Sequence, residues 1–193
     1  MRINEIFYSL QGEGYYTGRP AVFIRLSGCN LKCPFCDTDF SQYEEMKEEE
    51  IVEEVMRIGN RCGFVVITGG EPTLQDCTNL IDMLQQNRIE VAMESNGTRR
   101  PPYNVNYLTL SPKASYVSNG QPIVKKCAEL KVVFDGEHEP SDFDISALHY
   151  YLQPCDTGDE ERNREIMDKC VEYIKENPKW RMSLQTQKIL NVR

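Results

Sequence analysis

Phe64-Val-Val-Ile-Thr68 runs into the turn Gly69-Gly-Glu-Pro72 and then into TLQDCTNLIDMLQQ (73–86). A short β-branched run, a Gly-rich turn, and a segment whose Leu74, Cys77, Leu80, Ile81 and Leu84 recur at helical spacing together read as a strand-loop-helix unit. The same alternation extends outward in both directions. Further strand-like runs lie at Ala21 to Leu26, Ile89 to Met93, Val105 to Leu110, Leu130 to Phe134 and His149 to Leu152. A second helical pattern covers Glu48 to Ile58, with Ile51, Val52, Val55 and Ile58 on one face, and a third runs from about Asp159 to Asn177, where Pro178 stops it. The acidic run Glu44 to Glu50 reads as the solvated start of the second pattern. Pro112 to Gln121 has no clear period. Strands alternating with helices imply right-handed βαβ units and a mostly parallel sheet, so the fold class is α/β. With no internal repeat, low-complexity tract or linker, residues 1–193 are expected to form a single domain.

In sheets of this kind ligands collect at the carboxyl ends of the strands. Chemistry-bearing residues follow the strands here: Gly28 to Cys36 after the run 21–26, Gly69 to Pro72 after 64–68, Glu94 to Thr98 after 89–93, Ser111 to Lys113 after 105–110, and Gln153-Pro154 after 149–152.

The net charge of −8 argues against a protein that grips a nucleic-acid backbone by counterion release, so no nucleic-acid partner is expected. The start of the chain lacks a basic stretch followed by an apolar one, and nowhere do ~18 apolar residues run together. The expected location is the cytoplasm, with no membrane partner. Of eight cysteines, three are tightly spaced, which favours metal ligation in a reducing compartment over a disulfide scaffold. Cys62, Cys77, Cys127, Cys155 and Cys170 are dispersed and read as small buried residues.

The close set is Cys29-Asn-Leu-Lys-Cys33-Pro-Phe-Cys36, spacing CxxxCxxC, in which one loop can wrap three soft thiolates around a metal centre. A structural zinc site is closed by four protein ligands and an electron-transfer 4Fe-4S cluster uses four cysteines, so this loop supplies one too few for either. That leaves a coordination position open for chemistry. The alternatives are a zinc knuckle borrowing a remote ligand such as Cys62, or three buried thiols without a metal.

A CxxxCxxC loop after an early strand, followed by Gly-Gly-Glu-Pro after the next, resembles the radical S-adenosylmethionine (SAM) superfamily and its partial, modified (β/α)6 barrel. By this resemblance Cys29, Cys33 and Cys36 hold three irons of a 4Fe-4S cluster and SAM chelates the fourth. The finer resemblance is to the 7-carboxy-7-deazaguanine synthases. It rests on SLQGEGYYTGRPAVFIRLSGCNLKCPFCDT (9–38), TGGEP (68–72), ESNGT (94–98), SPK (111–113), YLQPCD (151–156) and WRMSLQTQKILNVR (180–193), which span most of the chain.

That resemblance implies roles for individual residues. Leu10, Gln11, Gly12 and Glu13 would form the turn that recognises a pterin, with the glycines allowing close backbone approach. On its own the segment also reads as a Gly-rich surface turn. Arg25, a charge on an otherwise apolar strand, would hold a substrate carboxylate through its fork of donors, the other reading being a structural ion pair with a helix. Thr38 would place a hydroxyl on Mg²⁺, and Asp37 would approach the SAM amino group, although Asp37-Thr38-Asp39 alone reads as a helix cap. Thr68 and Gln187 would contact substrate. Phe35, Cys36, Gly70, Glu94, Ser95, Asn96, Ser111, Pro112, Lys113 and Gln153 would surround SAM, with Phe35 and Gln153 near the adenine, Glu94 to Asn96 at the ribose and Ser111 to Lys113 at the carboxylate. One departure stands out: Gln187 occupies a position where the related tails carry His, and an amide cannot titrate near neutrality.

The implied reaction converts 6-carboxy-5,6,7,8-tetrahydropterin to 7-carboxy-7-deazaguanine with loss of ammonia, a lyase step of queuosine or other 7-deazapurine biosynthesis. Its implied partners are an electron-donor protein such as a flavodoxin and a second copy in a homodimer. Two other readings stay open on sequence: a glycyl-radical-enzyme activase, which shares the short barrel and CxxxCxxC, and a non-catalytic metal-binding or electron-transfer module.

Overall fold

A computed structural model of the chain describes residues 1–36, 38–39 and 42–193. In chain order the elements are β1 (Arg2–Leu10), β2 (Pro20–Leu26), β3 (Glu44–Glu45), α1 (Glu48–Ile58), β4 (Phe64–Gly69), α2 (Thr78–Gln86), β5 (Glu90–Ser95), β6 (Tyr107–Leu110), β7 (Lys126–Phe134), β8 (Ser146–Pro154), α3 (Glu160–Glu176), β9 (Arg181–Met182) and α4 (Thr186–Leu190), with 3-10 turns at Gly14–Tyr16 and Pro72–Leu74. They form one nine-stranded sheet in the order β3-β1-β2-β4-β5-β6-β7-β8-β9. From β2 through β9 every neighbouring pair is parallel, while β1 pairs antiparallel with β2 and with β3. Parallel neighbours laid down in sequence order are what successive right-handed crossovers produce, and the result is a partial barrel.

Each strand's alternation divides its side chains between two environments. On the convex face Val22, Ile24, Leu26, Val65, Ile67, Val91 and Met93 pack against Ile51, Val52 and Val55 of α1 and Leu80, Ile81 and Leu84 of α2. On the concave face Phe7, Ala21, Phe23, Phe64, Val66, Ala92 and Tyr107 form a separate cluster at the amino end of the parallel strands, which plugs the barrel. One step toward the carboxyl end, the register aligns Glu5 with Arg25, Arg25 with Thr68, Glu94 with Thr109, Thr109 with Glu129, and Glu129 with His149. The concave face thus changes from an aromatic floor to a polar layer within one side-chain repeat.

Several boundaries differ from the sequence reading. The helix expected from Thr73 begins at Thr78, because Pro72–Leu74 is a 3-10 turn in which the Glu71 carboxylate accepts from the Thr73 N–H (3.0 Å). The acidic run 44–50 is split: Glu44 and Glu45 pair with Ile3 and Arg2 along the outer edge of β1, and α1 starts only at Glu48. Strand β1 was not expected at all, since Asn4 and Glu5 fall together where its register shifts and break the alternation of polar with apolar residues. Gln153 and Pro154, expected as a loop, are the last residues of β8.

Glu71 fastens the rim. It is 1% exposed, and its carboxylate accepts from the hydroxyls of Thr73 (2.6 Å) and Ser95 (2.8 Å) and from the Asn96 N–H (2.7 Å), tying the loop after β4 to the end of β5. Its own N–H donates to Gly28 O (2.9 Å), which ties both to the cysteine loop. Gly70 is required there, because a Cβ would stand 2.0 Å from Gly28 O. Asn30 completes the join, accepting from Asn96 Nδ2 (3.1 Å) and donating to Thr98 Oγ1 (2.9 Å). Replacing Glu71→Ala strands buried donors on two loops and is expected to cost about 3 kcal/mol of unfolding free energy, on the scale of one or two charge-assisted hydrogen bonds. A denaturant titration checks this; a change below about 0.5 kcal/mol would mean the clasp is not stabilising.

Candidate active site

The carboxyl ends of the parallel strands surround a cavity of about 570 Å³. Cys29, Cys33 and Cys36 all open on it from the loop after β2. With them on the lining are Phe35, Thr38, Arg25, Thr68, Gly70, Glu94, Ser95, Asn96, Ser111, Lys113, Gln153 and Glu13, each expected at a ligand. Leu10, Gln11, Gly12, Pro112 and Gln187 stand outside the lining, and Asp37 lies outside the described residues.

The cysteine loop is shaped locally. Cys36 N–H donates to Cys33 O (3.2 Å), and Leu31 N–H donates to Cys29 Sγ (3.4 Å). Burial raises the thiol pKa of both Cys29 and Cys33; for Cys33 the Lys113 ammonium works in the opposite direction. The three thiols influence one another electrostatically, yet among the described residues no three His, Cys, Asp or Glu side chains converge closely enough to hold a single metal ion. Cys155 also faces the cavity, but its charged neighbours are Asp135, Asp156 and Lys188 rather than the other thiols. Three thiols on one cavity wall are the set that the 4Fe-4S cluster expected from the sequence would take from the protein.

Beside the cysteines, Lys113 Nζ donates to Ser111 O (2.7 Å) and Ser111 Oγ (2.6 Å). Burial pushes its pKa down to about 8. An anion arriving at this ammonium would offset the cost of its burial and gain a strong hydrogen bond. On the opposite wall Arg25 Nε donates to Glu5 Oε1 (2.8 Å), and the other Glu5 oxygen accepts from Arg193, whose carbonyl accepts from Ser9 Oγ (2.5 Å). Arg25 is thus ion-paired, but with a strand rather than a helix. A guanidinium has five N–H donors, so this bond leaves others for an anion in the cavity.

The turn 11–16 enters from below. Gln11 Nε2 donates to Glu94 Oε1 (3.0 Å), and Gln11 Oε1 accepts from the Glu13 N–H (3.1 Å). Gly12 O accepts from the N–H (3.1 Å) and hydroxyl (2.8 Å) of Thr186 in the C-terminal tail. The Glu13 carboxylate accepts from Gln185 Nε2 (3.2 Å), Gln187 Nε2 (3.1 Å) and Lys131. Gln187 acts through Glu13 in this arrangement, and its buried Oε1 has no hydrogen-bond partner among the described residues.

Sequence reasoning missed Glu5, Lys131, Glu129 and Gln185. Glu5 was hidden with β1. Lys131 gave the signal that had singled out Arg25, a charge inside an apolar strand, and could have been found by it. Gln185 and the contact of the tail with residue 12 depend on a fold-back across more than 170 residues, for which local pattern gives no sign.

Residues 23–115 match the Radical SAM superfamily. The chain is 44% identical to the 7-carboxy-7-deazaguanine synthase of Bacteroides thetaiotaomicron over 192 residues, covering 100% of this chain and 98% of that one. It is 33% identical to the Haemophilus influenzae protein of the same name, covering 98% and 93%. Among solved structures, QueE from Escherichia coli superposes with a TM-score of 0.73 at 27% identity, covering 95% of this chain and 92% of that one. Streptococcus suis SuiB bound to its precursor peptide shares the fold with a TM-score of 0.52 at 17% identity, covering 80% and 46%. The chain belongs to the 7-carboxy-7-deazaguanine synthase family of the radical SAM superfamily.

Proposed function

We propose that this protein converts 6-carboxy-5,6,7,8-tetrahydropterin to 7-carboxy-7-deazaguanine with loss of ammonia, a radical SAM lyase step of queuosine or 7-deazapurine biosynthesis, and that residues 1–193 act as one radical SAM domain. The observation that carries this reading is the opening of three cysteines, Lys113, Arg25 and Glu13 onto a single cavity. Family membership over the full chain supplies the reaction class.

Cys29, Cys33 and Cys36 would hold the 4Fe-4S cluster, and when bound with SAM it supplies one-electron cleavage of SAM and an adenosyl group able to take a hydrogen atom. The chain's own work is binding and orientation. Lys113 and Ser111, with Pro112 shaping their turn, receive the SAM carboxylate; Gly70 and Asp37 receive its amino group; Glu94, Ser95 and Asn96 receive the ribose. Phe35 and Gln153 flank the adenine. On the substrate side Arg25 takes the carboxylate, Thr68 lies beside it and Glu13 faces the ring, while Leu10, Gln11 and Gly12 shape the turn behind it and Gln187 steadies Glu13. A floor of Phe7, Phe23, Phe64 and Val66 closes the barrel below the polar layer and limits water entry from that side.

Mg²⁺ would sit at the Thr38 hydroxyl, a reading supported by that residue's place on the cavity wall beside the cysteine loop. An electron-donor protein such as a flavodoxin would approach at Cys36, the exposed member of the three. Homodimer formation is supported by exposed Tyr8, Ile189, Leu190 and Val192, which the Ser9 to Arg193 contact brings to one edge. Among the described residues no helix is long and apolar enough to cross a membrane. All eight cysteines are free, which supports the cytoplasm.

Anaerobic protein reconstituted with iron and sulfide, then given SAM, reductant, Mg²⁺ and 6-carboxytetrahydropterin, is expected to yield 7-carboxy-7-deazaguanine by mass spectrometry. SAM cleavage with the pterin returned unchanged would refute the substrate and keep the superfamily. Arg25→Ala is expected to weaken pterin binding about 10- to 100-fold, the worth of a charge-assisted hydrogen bond, without altering the iron chromophore. Unchanged affinity in a binding titration would remove Arg25 from the substrate site.

A further inference from the structure

Three carboxylates, Glu13, Glu94 and Glu129, surround one ammonium inside the barrel. Lys131 Nζ, on a side chain only 5% exposed, donates to Glu13 and to Glu94 Oε2 (3.4 Å). Glu129, two residues earlier on the same face of β7, accepts from the Tyr15 N–H (2.8 Å) and Tyr107 hydroxyl (3.2 Å). We propose that Lys131 is a positioning residue for substrate: by bridging Glu13 and Glu94 it keeps both carboxylates as acceptors beside each other and fixes the recognition turn 11–14 against β5 and β7. The inference rests on reading the cavity as a pterin site.

The geometry requires some such group. Two carboxylates in one water-poor cavity repel, and burial alone would drive one of them to hold a proton. Burial does oppose ionisation of Glu13, but the Lys131 charge and hydrogen bonds from Lys131, Gln187 and Gln185 outweigh it and bring its pKa down to about 2. Lys131 loses stability as an ammonium through burial and regains more from Glu13, Glu94 and Glu129, so its pKa is raised. Glu129 moves the opposite way from Glu13: burial outweighs Lys131 and its pKa is raised. Lys113, just beyond the end of β6 between the strands that carry Glu94 and Lys131, also feels Lys131, Glu94 and Glu13. A carboxylate accepts about four hydrogen bonds and Glu13 receives three from the protein, which leaves an acceptor for the donor-rich edge of a 2-amino-4-oxopyrimidine ring.

The sign of the pH effect follows. With Lys131 present, Glu13 stays charged throughout the neutral range. Without it burial acts with less opposition, the Glu13 pKa rises, and substrate affinity falls as the pH is lowered.

The test is equilibrium binding of 6-carboxypterin to the cluster- and SAM-loaded protein, wild type against Lys131→Met, from about pH 5.5 to 9. Dividing the variant's affinity by that of the wild type cancels titration of the ligand. The expected ratio is about one tenth at neutral pH, smaller at acid pH and recovering toward alkaline pH, with Lys131→Arg restoring a flat profile. A ratio of one, or a deficit that does not vary with pH, would overturn the proposal. Should Lys131→Met not fold, Lys131→Gln makes the same comparison. Failure of the wild type to bind the pterin would count against the proposed function instead; the carboxyl ¹³C shift of Glu13 in ligand-free protein then decides, and a titration unaltered by the substitution overturns the role of Lys131.

Discussion

Parallel pairing is the constraint on which the rest depends. Because β2, β4, β5, β6, β7 and β8 run the same way in sequence order, their carboxyl ends form one rim, and the loops that carry the chemistry face one another across it. The cysteine loop, the Gly-Gly-Glu-Pro turn, Glu94 to Thr98 and Ser111 to Lys113 are far apart in sequence and meet only there. Alternation along the strands then divides each one between the helices outside and the cavity inside, so a single register sets both the core and the site.

The interior is built against a solvation cost. Charged groups leave water unwillingly, and deleting one partner of a buried pair typically costs about 3–5 kcal/mol because the other is stranded. The barrel meets this by giving its buried charges partners on other elements: Arg25 with Glu5 of β1, Lys131 with Glu13 of the turn after β1 and Glu94 of β5, Glu129 with Tyr107 of β6. Glu71 plays the equivalent part at the rim, where its carboxylate holds two loops in place of a ligand. Rigidity of these partnerships matters for radical chemistry, in which the reacting carbon must lie against one C–H bond.

The parallel core was legible because buried strands are continuous apolar runs and their helices carry a clear stripe: α1 was read at its observed bounds, and β4 and α3 within a residue or two. The edge was not. β1 carries a register shift between Ile3 and Glu5 that breaks its alternation, while β3 and β9 are two residues long, below what a pattern can show. For the candidate site, residues in loops just after strands were found from position and motif. Those missed act through a second side chain, as Glu5 does through Arg25 and Gln185 through Glu13, and nothing in local sequence marks such a contact.

The central claim is that three cysteines hold a cluster with one iron free for SAM. Its most direct test is electron paramagnetic resonance of the reduced, reconstituted protein with and without SAM labelled with ¹⁷O or ¹⁵N at its carboxylate or amino group. The account predicts a 4Fe-4S signal that changes when SAM is added and shows hyperfine coupling to the label. A signal indifferent to SAM, or protein that retains zinc and takes up no iron, would contradict it.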